Sequence, residues 1–390
     1  MSERCERIVN VPHLLTLVGR TPVTYVEAPL PHRHGGFWAK VECASPGGMK
    51  ARAAVAMLTA ARTRGELRPG APVIESTSGT LGVGLAFAGQ ALGHPVHLVV
   101  DRELEPSMRA LLRAYGARLE IVDTPDPVGG WQQARLDRLA AVRAGLPGSW
   151  WPDQYHNPDN AAGYVSLADE VAGQVDGVDV LVCSVGTGGH SAGVARALRR
   201  HWPRLRLVGV DTVGSTVFGQ PARPRLMRGL GSSIHPGNVD HAAFDEVHWV
   251  GPGEAVESCR HLARYAFVTG GWSTGATARV AAWVARTEPG ARVLAVFPDG
   301  PHRYLDSIYD DGWCARHGLL GPTRGYPVEI PYPWAVEVTR WSRCRTVVDP
   351  ARAGRVTLGG APAPPTADGD PGSAGRLMGV APARTEWVPA

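Results

Sequence analysis

Of the forty basic residues in this 390-residue chain only two, Lys40 and Lys50, are lysines, so a chemistry that needs a primary amine has two places to go. An amine can lose its proton when desolvated and attack a carbonyl, whereas a guanidinium stays charged. Lys50 closes the Pro/Gly-rich turn Ser45-Pro46-Gly47-Gly48-Met49 and runs into the helical pattern Ala53-Ala54-Val55-Ala56-Met57-Leu58. A lone lysine at a helix start is most often a solvated charge, and other loops must be weighed with it.

Gly186-Thr187-Gly188-Gly189, followed by His190, stands between an apolar strand pattern and a helical one. Free backbone N–H groups and the helix dipole suit such a loop to an anion such as phosphate. Ser191 occupies the place of the third glycine in a dinucleotide fingerprint, and the loop has no P-loop lysine. A small phosphorylated cofactor is therefore expected rather than a nucleoside triphosphate. Thr77-Ser78-Gly79-Thr80 offers hydroxyls and backbone donors suited to a carboxylate, although the same residues make an ordinary N-cap. Gly270-Gly271-Trp272-Ser273-Thr274-Gly275 sets a serine inside a glycine turn. Each loop alone is weak evidence. Together with the scarce amine they fit pyridoxal phosphate: a lysine that forms a Schiff base, a loop for the phosphate, and an amine that becomes a general base on an α-proton once an amino acid displaces it.

The elements that position these loops alternate in type at short intervals. Strand patterns at 23–27, 36–42, 72–75, 94–100, 116–122, 178–185, 207–211 and 293–299 are separated by helical patterns from Lys50 to about Arg64, from Leu81, from Pro106 to Tyr115, and through Arg199. That order predicts an α/β fold with a parallel sheet. A short helix is expected after Arg7, and a Gly/Pro/Arg-rich loop over 214–237. Beyond about Gly321 the pattern fades, and residues 351–390, rich in Ala, Pro, Gly and Asp, read as a disordered tail.

Bulk properties narrow the function. A net charge of +4, with basic and acidic residues interspersed, argues against nucleic acid or a membrane as partner. Six scattered cysteines without a Cys-x-x-Cys pair argue against a disulfide framework and a metal site. The charged N-terminus and the lack of a membrane-length apolar run point to the cytoplasm. Of the histidines near the loops, His156, His190, His235 and His302, His190 is the one best placed to touch a ligand.

With these motifs in order from Gly19-Arg20-Thr21-Pro22 to Pro298-Asp299-Gly300-Pro301-His302-Arg303-Tyr304, roughly three quarters of the chain resembles the cysteine synthase/cystathionine β-synthase family of fold-type II pyridoxal phosphate enzymes. The resemblance implies two doubly wound α/β domains with mostly parallel sheets and the cofactor in the cleft between them. The smaller domain spans 46–160, the larger one 1–45 plus 161–320, and 321–350 form an extension. It further implies that Lys50 is the Schiff-base lysine, that Gly186, Thr187, Gly188, Gly189 and His190 surround the phosphate, and that Ser273 faces the pyridine nitrogen. Thr80 stands at the cofactor's ring hydroxyl. Thr77, Ser78, Gly79 and Gln154 match the substrate-carboxylate contacts, and Gly229-Leu230-Gly231 matches the loop that closes over substrate. A neutral serine at the ring nitrogen makes a weaker electron sink than a carboxylate would, which favours β-elimination over transamination.

The implied reaction is β-replacement on an O-activated L-serine (O-acetylserine or O-phosphoserine) with sulfide or thiosulfate, giving cysteine or S-sulfocysteine. The alternatives are a β-eliminating dehydratase, a nitrogen-nucleophile synthase of the diaminopropionate type, or a regulatory relative with reduced turnover. A homodimer is the family expectation, and a partner enzyme in a biosynthetic pathway is possible within it. Ser45, Met49, Ala51, Thr80, Leu81 and His190 depart from the family pattern, and most of them lie where the substrate should sit.

Overall fold

The computed structural model describes residues 14–27 and 35–354. The helix expected after Arg7 lies largely outside the described residues, as does the tail beyond 354. Residues 351–354, expected to open the tail, instead form a turn, with Ala353 N–H donating to Asp349 O at 3.1 Å and Gly354 N–H to Ala351 O at 3.1 Å. Backbone hydrogen bonding, invisible in composition, carries the fold four residues further than expected.

In chain order the elements are β1 (Val23–Val26), β2 (Phe37–Val41), α1 (Lys50–Thr63), β3 (Val73–Ser76), α2 (Thr80–Leu92), β4 (Val96–Asp101), α3 (Pro106–Ala114), β5 (Arg118–Val122), α4 (Gly130–Ala144), α5 (Pro158–Ala162), α6 (Val165–Ala172), β6 (Val180–Ser184), α7 (Gly189–Leu198), β7 (Arg206–Thr212), β8 (Glu246–Val250), α8 (Pro252–His261), α9 (Trp272–Thr287), β9 (Val293–Phe297), α10 (Asp311–Arg316), β10 (Val328–Glu329) and β11 (Ser342–Cys344). They build two sheets. The larger runs β1-β2-β9-β6-β7-β8-β11-β10, and the smaller runs β3-β4-β5.

Pairing is parallel throughout the smaller sheet and across β2-β9-β6-β7-β8. Antiparallel pairs occur where β1 meets β2 and where β11 meets β8. The α/β class with mostly parallel sheets is thus what the strand/helix alternation predicts. Central strands such as β6 (Val-Leu-Val-Cys-Ser) and β9 (Val-Leu-Ala-Val-Phe) are buried at every position. Helices cover both faces of a parallel sheet, so its strands read as continuous apolar runs rather than as alternation.

The extension whose pattern fades after Gly321 is not idle, for β11 and β10 complete one edge of the larger sheet. Two or three residues in length, they are too short for a periodic signal. Helix α4 was not anticipated. It buries only Arg135 and Leu139 fully, so its apolar stripe is too thin to mark a helix by periodicity. The five cysteines within the described residues are all unpaired. Among the described residues no helix is long and apolar enough to cross a membrane.

Candidate active site

The turn before Lys50 is shaped by its glycines. Gly47 and Gly48 take positive φ (73° and 63°), and a Cβ on Gly48 would stand 2.7 Å from Pro298 O. Met49 N–H donates to that same carbonyl at 2.9 Å, so the turn is docked on the end of β9 and α1 begins at a fixed place. Ser45 Oγ accepts from Gly19 N–H at 3.3 Å.

The two lysines have separate fates. Lys40 Nζ donates to Thr21 O (2.6 Å), Glu170 Oε2 (2.7 Å) and Gln174 Oε1 (3.0 Å). Lys50 lines a cavity of about 540 Å³. Burial pushes the Lys50 amine down to about 8, partly opposed by the charge of Glu75, and a lowered pKa is what an amine nucleophile or base requires.

Lys50, Thr77, Ser78, Thr80, Gln154, Gly186, Thr187 and Gly229 all line that cavity. Gly79, Gly188, Gly189, His190 and Ser273 do not. Gly79 shapes the loop instead: its φ is 129°, and a Cβ there would meet Arg303 Nη1 and Leu104 Cδ1, each at 3.1 Å. Gln154 is tied into the wall, with Nε2 donating to Ser76 O at 2.7 Å and its backbone N–H to Glu75 Oε2 at 3.1 Å.

The glycine loop after β6 fits a phosphate. Gly188 has φ 83°, and a Cβ on Gly189 would overlap Asn160 Oδ1 at 2.2 Å. Glycine here lets Asn160 and Val239 pack directly on the chain at the N-terminus of α7, where free N–H groups and the helix dipole favour an anion. Asn160 Nδ2 donates to Thr187 Oγ1 at 3.3 Å, while Asn160 Oδ1 is buried without a partner. His190 packs its ring against Tyr164 with centroids 6.0 Å apart. Burial, and then the charge of Lys50, press its pKa down to about 3, so this imidazole is neutral and carries no charge toward an anion.

Ser273 opens α9 on the far side. A Cβ on Gly229 would lie 3.8 Å from Ser273 Oγ and 3.8 Å from Tyr304 Oη, which places this serine beside the cavity-lining glycine. Ser273 Oγ lies 3.4 Å from Asp299 Oδ1.

Several residues at the site carry no motif. Glu75 is fully buried; burial pushes its carboxyl up to about 8 despite donors from Trp151 Nε1, Ser76 N–H and Gln154 N–H. Arg303 is buried and donates to Thr80 Oγ1 (3.1 Å), Ser78 O (3.0 Å) and Glu105 Oε2 (2.9 Å). Arg225 reaches the cavity from the 214–237 loop. It donates to Ser233 Oγ at 3.0 Å and Gln132 Oε1 at 3.4 Å, and its Nη1 is buried without a partner. Arg223 and Arg228 of the same loop also line the cavity, but Arg223 is paired with Glu337 and Arg228 with Asp101 and Glu103.

A cavity-lining amine with a lowered pKa, a glycine turn at a helix start and a hydroxyl-rich loop on the same cavity suit a pyridoxal phosphate enzyme. Residues 14–299 match the family described as pyridoxal-phosphate dependent enzyme. The chain is 36% identical over 307 residues to N-(2-amino-2-carboxyethyl)-L-glutamate synthase of Ralstonia nicotianae, covering 78% of this chain and 91% of that one. It is 36% identical over 315 residues to a putative cysteine synthase of Sinorhizobium fredii, covering 78% and 93%. Among solved structures, the O-acetylserine dependent cystathionine β-synthase from Helicobacter pylori superposes with TM-score 0.71 at 28% identity, over 77% of this chain and 99% of that one. The chain belongs to the cysteine synthase/cystathionine β-synthase family of fold-type II enzymes and depends on pyridoxal phosphate.

Proposed function

We propose that the protein catalyses β-replacement on an O-activated L-serine, with the amine of an acidic amino acid as incoming nucleophile. The observation that carries this reading is Arg225: a guanidinium in the cavity wall whose side-chain hydrogen bonds go to the neutral Ser233 and Gln132, with buried Asp211 acting on it through charge alone. Ser233 and Gln132 hold this guanidinium without neutralising it, so a carboxylate entering the cavity gains a charged partner. A hydrosulfide ion needs neither 540 Å³ nor a bidentate partner, whereas a side-chain carboxylate matches a guanidinium fork. The Ralstonia relative, by its name, makes a glutamate carrying an aminocarboxyethyl group on nitrogen, a product of this class.

The roles follow from placement. Bound pyridoxal phosphate supplies the electron sink that makes the α-proton of the serine substrate acidic. Lys50, the cavity amine, holds that proton and returns it. Gly186 to Gly189 take the phosphate, and Thr77 and Ser78 take the substrate carboxylate. Arg225 orients the nucleophile by its distal carboxylate, and Arg303 fixes the Ser78–Thr80 loop from behind.

A second reading, sulfide or thiosulfate as nucleophile with cysteine or S-sulfocysteine as product, is favoured by the Sinorhizobium relative. Mass spectrometry of products separates the two. The holoenzyme is given O-acetylserine or O-phosphoserine together with L-glutamate, L-aspartate, sulfide or thiosulfate. An N-linked adduct formed faster than cysteine supports the first reading, and cysteine or S-sulfocysteine formed to the exclusion of N-linked adducts overturns it.

A further inference from the structure

The cysteines argue against a metal site in the sequence, yet the fold brings together two histidines and an aspartate drawn from positions more than a hundred residues apart. His235 Nε2 lies 3.5 Å and His241 Nδ1 3.8 Å from the same oxygen of Asp349, and one ligand atom from each of the three residues falls within 4.8 Å of the others. The imidazole side chains are 5% and 4% exposed, the carboxylate 29%.

We propose that His235, His241 and Asp349 bind one divalent first-row transition-metal ion of the zinc type, which fastens the segment after β11 to the loop that follows Gly231. Three observations support it. The separations exceed the usual hydrogen-bond range, so the three groups converge without satisfying one another. The two imidazole–carboxylate separations lie close to the roughly 3.3 Å between ligand atoms that zinc–nitrogen bonds of about 2.0–2.1 Å give in a tetrahedron, and the two imidazole nitrogens lie within 4.8 Å of each other.

Second, outer contacts orient His241 and Asp349 as a metal site requires, while Nδ1 of His235 is buried without a partner. His241 Nε2 faces Val217 O at 2.8 Å, so that nitrogen carries the proton and Nδ1 turns a lone pair toward Asp349. Asp349 Oδ1 accepts from Ala351 N–H at 2.9 Å. Third, two imidazoles and a carboxylate form a donor set suited to zinc or iron(II) rather than calcium or magnesium, and the partly open carboxylate side leaves room for water as a further ligand. The loop concerned also carries the cavity-lining Ser233, whose N–H is bonded to Gln132 Oε1 at 2.5 Å. The clip would thus stiffen one wall of the active-site cavity. It does not depend on which nucleophile the enzyme uses.

The full-chain holoenzyme, stripped with a chelator and then dialysed against zinc(II), should retain about one equivalent by elemental analysis and melt several degrees higher than the stripped form. Cobalt(II) in its place should show visible ligand-field absorption. His235→Ala and Asp349→Ala should each lower retained zinc at least tenfold and abolish the thermal shift, with cofactor content unchanged as the measure of folding; His156→Ala should behave as wild type. If His235→Ala does not fold, Asp349→Ala, at the exposed edge, decides alone. Wild-type protein that retains less than about a tenth of an equivalent overturns the proposal, as do variants that hold zinc as well as wild type.

Discussion

The hydroxyl of Ser273 lies 3.4 Å from Asp299 Oδ1, while Tyr304 donates to Asp299 Oδ2 at 2.7 Å. The serine expected to meet the cofactor as an isolated neutral group is therefore backed by a carboxyl. Burial raises the pKa of Asp299, opposed by the Tyr304 hydrogen bond and the charge of Arg303. Asp299 acts as a positioning residue, fixing which way the Ser273 hydroxyl points. Asp299→Asn should lower kcat about tenfold and shift the cofactor's absorption maximum, with KM for the serine substrate little changed. A variant that loses activity with an unshifted spectrum would assign Asp299 a purely structural part.

Arg225 supplies the second prediction. Arg225→Met keeps much of the stem's packing and removes the charge. Hydrogen bonds to charged groups contribute about 1.5–3 kcal/mol, so KM for an acidic nucleophile should rise roughly ten- to a hundredfold. The rate at which the serine substrate alone is consumed should change less than about twofold. Steady-state kinetics with L-glutamate and with a neutral amine as competing nucleophiles reads the difference directly.

Lys50 supplies the third. Burial, before any other cause, lowers its amine to about 8, whereas Lys40 is held among three acceptors. An amine reacts with a carbonyl only when neutral, so the cofactor-free protein should take up pyridoxal phosphate faster as pH rises through about 8 and level off above it. Stopped-flow absorbance from pH 6.5 to 9.5 follows this, and a flat profile would remove the claim. Lys50→Ala should reduce turnover at least about a thousandfold.

How much of this was legible in the sequence differs by residue. Lys50 was, because a lysine among forty basic residues is scarce and the glycines before it mark a turn that other residues would strain. The place of Gly186 and Thr187 at the cavity was, because a glycine-rich turn between an apolar strand and a helix puts them at the strand's carboxyl end. Glu75 and Arg225 were not: one ends an ordinary strand, the other sits in a polar loop, and burial alone gives each its meaning. The contact between the His190 ring and Tyr164 was not legible, because it depends on the packing of helix α7. Strands β10 and β11 were missed because two or three residues cannot show a period; β11 is placed by pairing with distant β8, and β10 by pairing with β11.

The same lysine scarcity makes the fold's response to acid predictable. Lys40 is fully buried, and its ion pair with Glu170 at 2.7 Å is shared with Arg52, whose Nη2 lies 2.8 Å from the same carboxylate oxygen. Burial would raise the Glu170 pKa, but hydrogen bonds from Arg52 and Lys40 reverse this and bring it from 4.5 to about 2. A carboxylate whose folded pKa is depressed contributes stability that is fully present above its unfolded value and is lost as pH falls toward the folded one. The window is therefore pH 4.5 down to about 2. Glu246, also drawn to about 2 by His248 and Arg343 against its burial, loses its contribution over the same range. Urea midpoints of the wild type should fall steeply across that window. Glu170 is partly exposed, so Glu170→Gln should cost about 1–2 kcal/mol at pH 7, between a surface and a buried pair, and should flatten the slope below pH 4.5. An unchanged slope in the variant would place the acid sensitivity elsewhere.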